Sequence, residues 1–496
     1  MTTGYRHGVY PSEKPTQLLP ARTVDSNVVF AVGLAAVHTL AADKPVYVNV
    51  PRLFYSYDEF VQEMGWDDDN FSAFTLQELV YSHFSLYRAA PLVVVNVFDP
   101  ATHQTAVDGE SATFAASGNG GTAAGTARLG HTHVSNVVVK DTLGSTTYKA
   151  GIDYTLNAVS GVLTRVDGGG IEEGATVSVS YSHSDPAKVE AADIIGGIDV
   201  ASGDPTGLEL IDEVFPRYRL VPTTVVCPHF CEDEAVAVVM AAKCDGINGL
   251  FKAIALVDVP TGPDGVSKYT DVPGWKESHN LTDGLMVVCW PKVKLGDRVF
   301  GLATQLAGVI SETDGDHEGI PYASPSNKLM NITSAGYPDE NGHWKEVWLG
   351  LEKANYLNGQ GVYTVSNFDG GMKTWGGRMA CYPSNTDPKD AQDCIRRFFN
   401  WYQSTFILTY FAKVDSPLTR RFIQTILKSE QIRLDGYTSR EILLGGSISF
   451  EEGDNPTTDL IDGICRFHTR MTPPPAARSI ENAFEFDTDN LSILFS

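Results

Sequence analysis

The residues with most chemical potential form three small groups. Cys227 and Cys231 flank His229 in the run CPHFC, bringing two thiols and an imidazole close together. A tetrahedral zinc site wants four such ligands, and no second half follows nearby. His131-Thr-His133 puts two imidazoles on one side of an extended chain, again without a third ligand. Asp67-Asp68-Asp69 offers the oxygen ligands that calcium takes, but acids in a loop ahead of a helix also serve solvation and capping. No metal is assigned to any of the three.

A search for catalytic patterns is negative. There is no G-x-S-x-G elbow, H-E-x-x-H pair, Walker loop, CxxC pair or dinucleotide glycine fingerprint. The glycine-rich stretch ATFAASGNGGTAAGTA lacks both the Lys-Ser/Thr and the strand-to-helix frame of a phosphate loop. No catalytic residue and no cofactor is therefore expected. The seven cysteines are odd in number and scattered, which argues for free thiols rather than a disulfide framework. Asn280-Leu-Thr and Asn331-Ile-Thr match glycosylation acceptors, but the opening MTTGYRHGVYPSEKP has no basic stretch followed by an apolar one, so folding in a cytosol is expected.

Elements to position any site can be read from hydrophobic period. Thr75-Leu-Gln-Glu78 has the form of a capping box and opens a helix over about 75–88. PLVVVNVF, TTVVC, KAIALVDV and LMVVCW read as strands apolar on both faces, as in a sheet covered by helices. Between them, residues 208–215, 232–245 and 299–310 read as helices, giving an α/β layer architecture. Residues 101–190 differ: short alternating runs divided by glycine-rich turns predict a small antiparallel β domain inserted into the α/β core. After Gly315 the chain reads as loop-rich. A long helix then begins at Asp390, and LTRRFIQTILKSEQIR is amphipathic, with Phe422, Ile423, Ile426 and Leu427 on one side and Arg420, Lys428 and Arg433 on the other.

The net charge of −24 makes nucleic acid an improbable direct partner, and no apolar run is long enough for direct membrane insertion. The charge is segregated. Residues 395–440 hold eight bases against three acids, whereas residues 441–496 hold three bases against ten acids. Pro473-Pro474-Pro475 precedes a tail in which Phe484 and Phe486 alternate, followed by Leu491, Ile493 and Phe495, the pattern of a strand with one apolar face.

Taken in order, HGVYPSEKPT, APLVVVNVFDP, AADIIGGID, GLELIDEVFPRYRLVPTTVVCP, GLFKAIALVDVP, CWPKVKLGDRVF, LATQLAGVI, PYASPSNK, NGQGVYTVSNFDGGMKTWGGR and the arm SIENAFEF resemble the tail sheath proteins of contractile-tailed phages and phage-tail-like bacteriocins. The resemblance implies a structural subunit and no enzyme: it polymerises as stacked six-fold rings around a tail tube and contracts to drive the tube through a cell envelope. Implied partners are further copies of itself, the tail tube protein, and baseplate and tail terminator proteins, in a virion tail or tail-like particle assembled in the bacterial host cytoplasm. Implied divisions are an N-terminal arm (1–25), an α/β core in two parts (26–100 and 191–370), the inserted β domain at the outer surface (101–190), a tube-facing domain (371–478) and a linking arm (479–496). Arg396, Arg397, Arg420, Arg421 and Lys428 are the bases expected to face the tube. Phe484, Phe486, Leu491, Ile493 and Phe495 are expected to add a strand to a neighbour's sheet. Two other readings stay open on the residues: an adhesin-like assembly with residues 101–190 as its binding end, and an α/β hydrolase, which the fold class permits and the motif search does not support.

Overall fold

The valine-rich runs do become the centre of the molecule. In the computed structural model, which describes residues 24–41, 43–116, 125–263, 265–368 and 370–495, they assemble an eight-stranded sheet. Its strands are β1 (Val29–Gly33), β2 (Arg52–Phe54), β3 (Leu92–Asn96), β4 (Thr224–Val226), β5 (Ile254–Asp258), β6 (Met286–Cys289), β7 (Val362–Ser366) and β8 (Lys373–Trp375). The spatial order is β2-β3-β1-β4-β5-β6-β7-β8. All neighbours pair in parallel except β2 and β8, which close the two edges antiparallel. Every residue of β1, β3, β5, β6 and β7 is buried, so both faces are covered, as parallel sheets require.

One covering helix, α1 (Leu302–Asp316), packs against β4, β5 and β6. It lies so close to the preceding segment that a Cβ on Gly308 would stand 2.2 Å from the Tyr87 ring, and only glycine fits. Its first turn is held from below by two buried carboxylates. Gly301 N–H donates to Glu78 Oε1 (2.6 Å) and Ala303 N–H to Asp258 Oδ1 (2.8 Å), satisfying donors that a helix start leaves open.

That use of Glu78 corrects the capping box read at Thr75. Phe74 is the N-cap, Thr75 Oγ1 instead accepts from Leu34 N–H (3.2 Å), and Glu78 reaches away to α1 and to His229. The helix is α-helical over Thr75–Val80 and widens into a π turn over Tyr81–Leu86. Other boundaries shift as well. Val299 lies in the short strand Arg298–Phe300, with α1 starting after it, and residues 207–210 form a 3-10 turn ahead of the helix Ile211–Tyr218. The region read as loop-rich contains strands Ser334–Pro338 and Trp344–Glu346, the helix Leu351–Asn358 and β7 itself.

Between β3 and the helix Ala191–Ile195 the chain builds two antiparallel sheets. One contains Gln104–Thr113, Thr176–Ser184, Val134–Asp141 and Thr147–Tyr148, the other Thr126–Arg128, Val162–Arg165 and Tyr154–Asn157. They share a hydrophobic cluster of their own around Phe114, Val139, Tyr154, Leu163 and Val179, distinct from the large cluster around the eight-stranded sheet.

A candidate assembly surface

The C-terminal third is built on two long helices, α2 (Asp393–Tyr410) and α3 (Arg420–Ser439), and a hairpin of β9 (Gly445–Ser449) and β10 (His468–Thr472). α2 faces inward. Arg397 Nη1 donates to both oxygens of Asp314 at the end of α1 (2.9 and 2.7 Å), Nη2 donates to the Ala323 carbonyl (3.2 Å), and the Ser26 hydroxyl also donates to Asp314 (2.9 Å). Arg396 Nη1 donates to Asp390 (3.0 Å). Both arginines are 6% exposed. The expectation that Arg396 and Arg397 are exposed bases is thus corrected: their charges are consumed by carboxylates within the chain, because a guanidinium leaves water only with a partner.

α3 divides differently from the stripe read in the sequence. Its buried face is Ile426, Ser429, Glu430, Leu434 and Tyr437, whereas Phe422, Ile423 and Leu427 are half-buried. Glu430 sits at the centre of that face, where the Tyr402 hydroxyl donates to it (2.7 Å) and the Arg433 guanidinium, its Nη1 3.1 Å away, offsets its charge. Burial and the Glu430 charge push the Tyr402 phenol far above its usual range, so it stays a donor. Arg433, read as facing outward, is also held inside, its Nη2 donating to Thr409 (3.0 Å). Arg420, Arg421 and Lys428 lie on the exposed side of α3.

Beyond β10 the chain runs through Pro473-Pro474-Pro475 into residues 473–487 without regular structure. Ile480, Phe484 and Phe486 stand in solvent, Phe484 at 93% exposure. Residues Asp489–Phe495 form a 3-10 turn rather than the strand expected there; Leu491 and Ile493 are exposed within it, and the side chain of Phe495 lies outside the described residues, as do residues 1–23 of the expected N-terminal arm.

The three chemical groups resolve into packing. Cys227 and Cys231 are buried thiols, that of Cys227 pushed up to about 12 by burial, while His229 turns the other way and meets Glu78 (2.5 Å). Asp258, raised to about 7 by burial, lies beside Cys231. His131 and His133 sit in a bend, not a strand, and part company: His131 stacks on His183 with centroids 3.7 Å apart, His133 meets His38 at 4.6 Å. Asp67 and Asp68 serve Asn70 and Arg298. Among the described residues no three His, Cys, Asp or Glu side chains are grouped to hold a metal, and no helix is long and apolar enough to cross a membrane.

The chain is 28% identical over 509 residues to the tail sheath protein of Burkholderia phage BcepMu, covering 100% of this chain and 99% of that one. The likeness is to a contractile tail sheath protein and runs along the whole chain. The major tail sheath protein of Serratia phage KSP20 is 24% identical over 307 residues, covering 58% of this chain and 70% of its own. In fold, the sheath complex of an extracellular contractile injection system (PVC) in its contracted state is similar with a TM-score of 0.57 at 13% identity, over 99% of this chain and 100% of that one. Residues 101–193 of this chain also match a family model described as "Protein of unknown function UCP028589".

Proposed function

We propose that this chain is the structural subunit of a contractile tail sheath, forming stacked six-fold rings around a tail tube and contracting to drive that tube through a target envelope. The likeness to a phage tail sheath protein along the whole chain carries the reading. The work comes from packing of a metastable polymer, without catalytic residues or cofactor; its partners are further copies, the tube protein, baseplate and terminator proteins, in a virion tail or tail-like particle assembled in the host cytoplasm.

Two features support a division of labour. The tail of residues 479–496 is the linking arm: its exposed Ile480, Phe484 and Phe486 are apolar groups that water disfavours. The β9–β10 hairpin of a neighbouring copy, a two-stranded sheet whose β10 pairs with no further strand among the described residues, is suited to receive it. Arg420, Arg421 and Lys428 on α3 are the tube-facing bases, and residues 101–190 are an inserted module at the outer surface. The test is negative-stain microscopy of the purified full chain: hollow striated cylinders are expected, and a monomer at all concentrations and salts would overturn the reading.

A further inference from the structure

The β unit of residues 104–184 is tied to the core at a neck. There Asp185 N–H donates to the His103 carbonyl (2.9 Å), the Thr105 hydroxyl donates to Asp185 (2.6 Å), and His103 stacks on Phe98 with centroids 5.9 Å apart. Away from the neck the unit touches the core again. His133, in the bend before the strand Val134–Asp141 and with a left-handed φ of 52°, sets its ring edge-on against His38, 4.6 Å between centroids. His38 belongs to the core, in the 3-10 turn Val37–Thr39 that follows β1. Its ring is walled by Phe74 (stacked, 4.9 Å) and Phe98 (edge-on, 6.0 Å). Its Nδ1 is buried with no hydrogen-bond partner, and its Nε2 stands 3.9 Å from Asp67, too far for a hydrogen bond.

We propose that the His38–His133 contact is a proton-operated latch, which docks the β unit on the α/β core when both imidazoles are neutral and releases it to swing about its neck on acidification.

Four groups face His38: Phe74 and Phe98 from the core, His133 from the β unit, and Asp67 from the loop beneath. A proton on either ring sets a cation against a desolvated imidazole, with one carboxylate at the margin to compensate. Burial lowers His38 to about 4, with His133 adding to the effect and Asp67 opposing it; burial likewise lowers His133. In the released unit His38 loses the His133 ring and regains water on that side, so its midpoint rises toward the ordinary 6.5, which sets the full size of the effect. A base depressed by docking contributes stability that is complete above the released value and is lost as pH falls toward the docked one. Between pH 7.5 and 5, the ratio of released to docked unit therefore rises about 30-fold from His38 alone.

The test uses the full chain. Exchange at histidine Cε1, read by mass spectrometry, should place the His38 midpoint well below the ordinary histidine value. Backbone exchange in peptides covering residues 34–41 and 129–135, corrected for intrinsic rates, should rise about 30-fold from pH 7.5 to 5. Replacing both rings, His38→Phe together with His133→Phe, which removes both titrating groups from the contact, should abolish that rise. An ordinary His38 midpoint in the native chain overturns the latch whether or not the variant folds. So does an unchanged exchange rate, or a rise that persists in the double variant.

Discussion

At Arg397 a full positive charge is neutralised inside the molecule by Asp314, itself 0% exposed, across 83 positions of sequence. Removing one partner strands the other in a place without water, so Arg397→Met should destabilise the chain by about 3–5 kcal/mol, read as a lower urea midpoint with unchanged slope. Replacing both, Arg397→Met with Asp314→Leu, should recover much of that loss; a single variant of native stability would show the pair to be solvated. Asp258 behaves oppositely. Burial raises its carboxyl to about 7 from an ordinary 3.8, so the folded chain binds a proton that the unfolded chain releases, and stability from this group declines as pH rises from about 4 to 7. Asp258→Asn keeps an oxygen for Ala303 N–H and cannot ionise. It should flatten that decline and stabilise the chain at pH 8 relative to native, at about 1.4 kcal/mol per pH unit of difference between the two states. Equal stabilities of the two proteins at pH 8 and pH 5 would refute this.

At the scale of elements, α3 and the tail separate folding from assembly. Reversing Arg420, Arg421 and Lys428 to glutamate alters the exposed side of one helix, so thermal unfolding should hardly move, within about 0.5 kcal/mol. Loading onto tail tubes in co-sedimentation should fall sharply at low salt, and raised salt should weaken the native chain in the same way. Normal loading of the reversed protein at low salt would remove these bases from the tube contact. Truncation before Ser479 takes away the exposed Ile480, Phe484 and Phe486. Circular dichroism and melting should stay as they are while cylinders vanish from micrographs; a collapsed monomer would mean that the tail docks at home.

For the whole molecule, the separate hydrophobic clusters indicate two folding units. Replacing residues 101–190 by a short linker should leave a folded α/β core with native-like melting, because β3 and the helix Ala191–Ile195 that flank the excision belong to that core; insoluble product from several linker lengths would count against it. The strands of the two regions are legible in sequence for different reasons. Leu92–Asn96 and Ile254–Asp258 are apolar on both faces, a pattern few other structures tolerate, and residues 101–190 alternate with glycine turns between their runs. Val362–Ser366 was missed because its short run lies between glycine-rich segments that read as loop. Arg397 was misread because a sequence shows a charge but not the carboxylate that meets it from 83 positions away, whereas Arg396 and Arg433 have acids within six positions and were misread because the sequence does not show that these pairs face inward. The 3-10 turn at Asp489–Phe495 escaped because alternation over so few residues fits more than one backbone.

One tie has a consequence in time. Trp401 Nε1–H donates to the carbonyl of Val24 (2.7 Å), and β1, made early, lies between β3 and β4, with β7 much later in the chain. During synthesis, at about 5–20 residues per second, the β unit of residues 104–184 has all its strands while the eight-stranded sheet still lacks five of its strands. The body closes when Trp401 has left the ribosome and found Val24. The exposed tail at 479–495 follows only afterwards, so on a nascent chain the segment that would join one copy to the next becomes available once there is a finished copy to join.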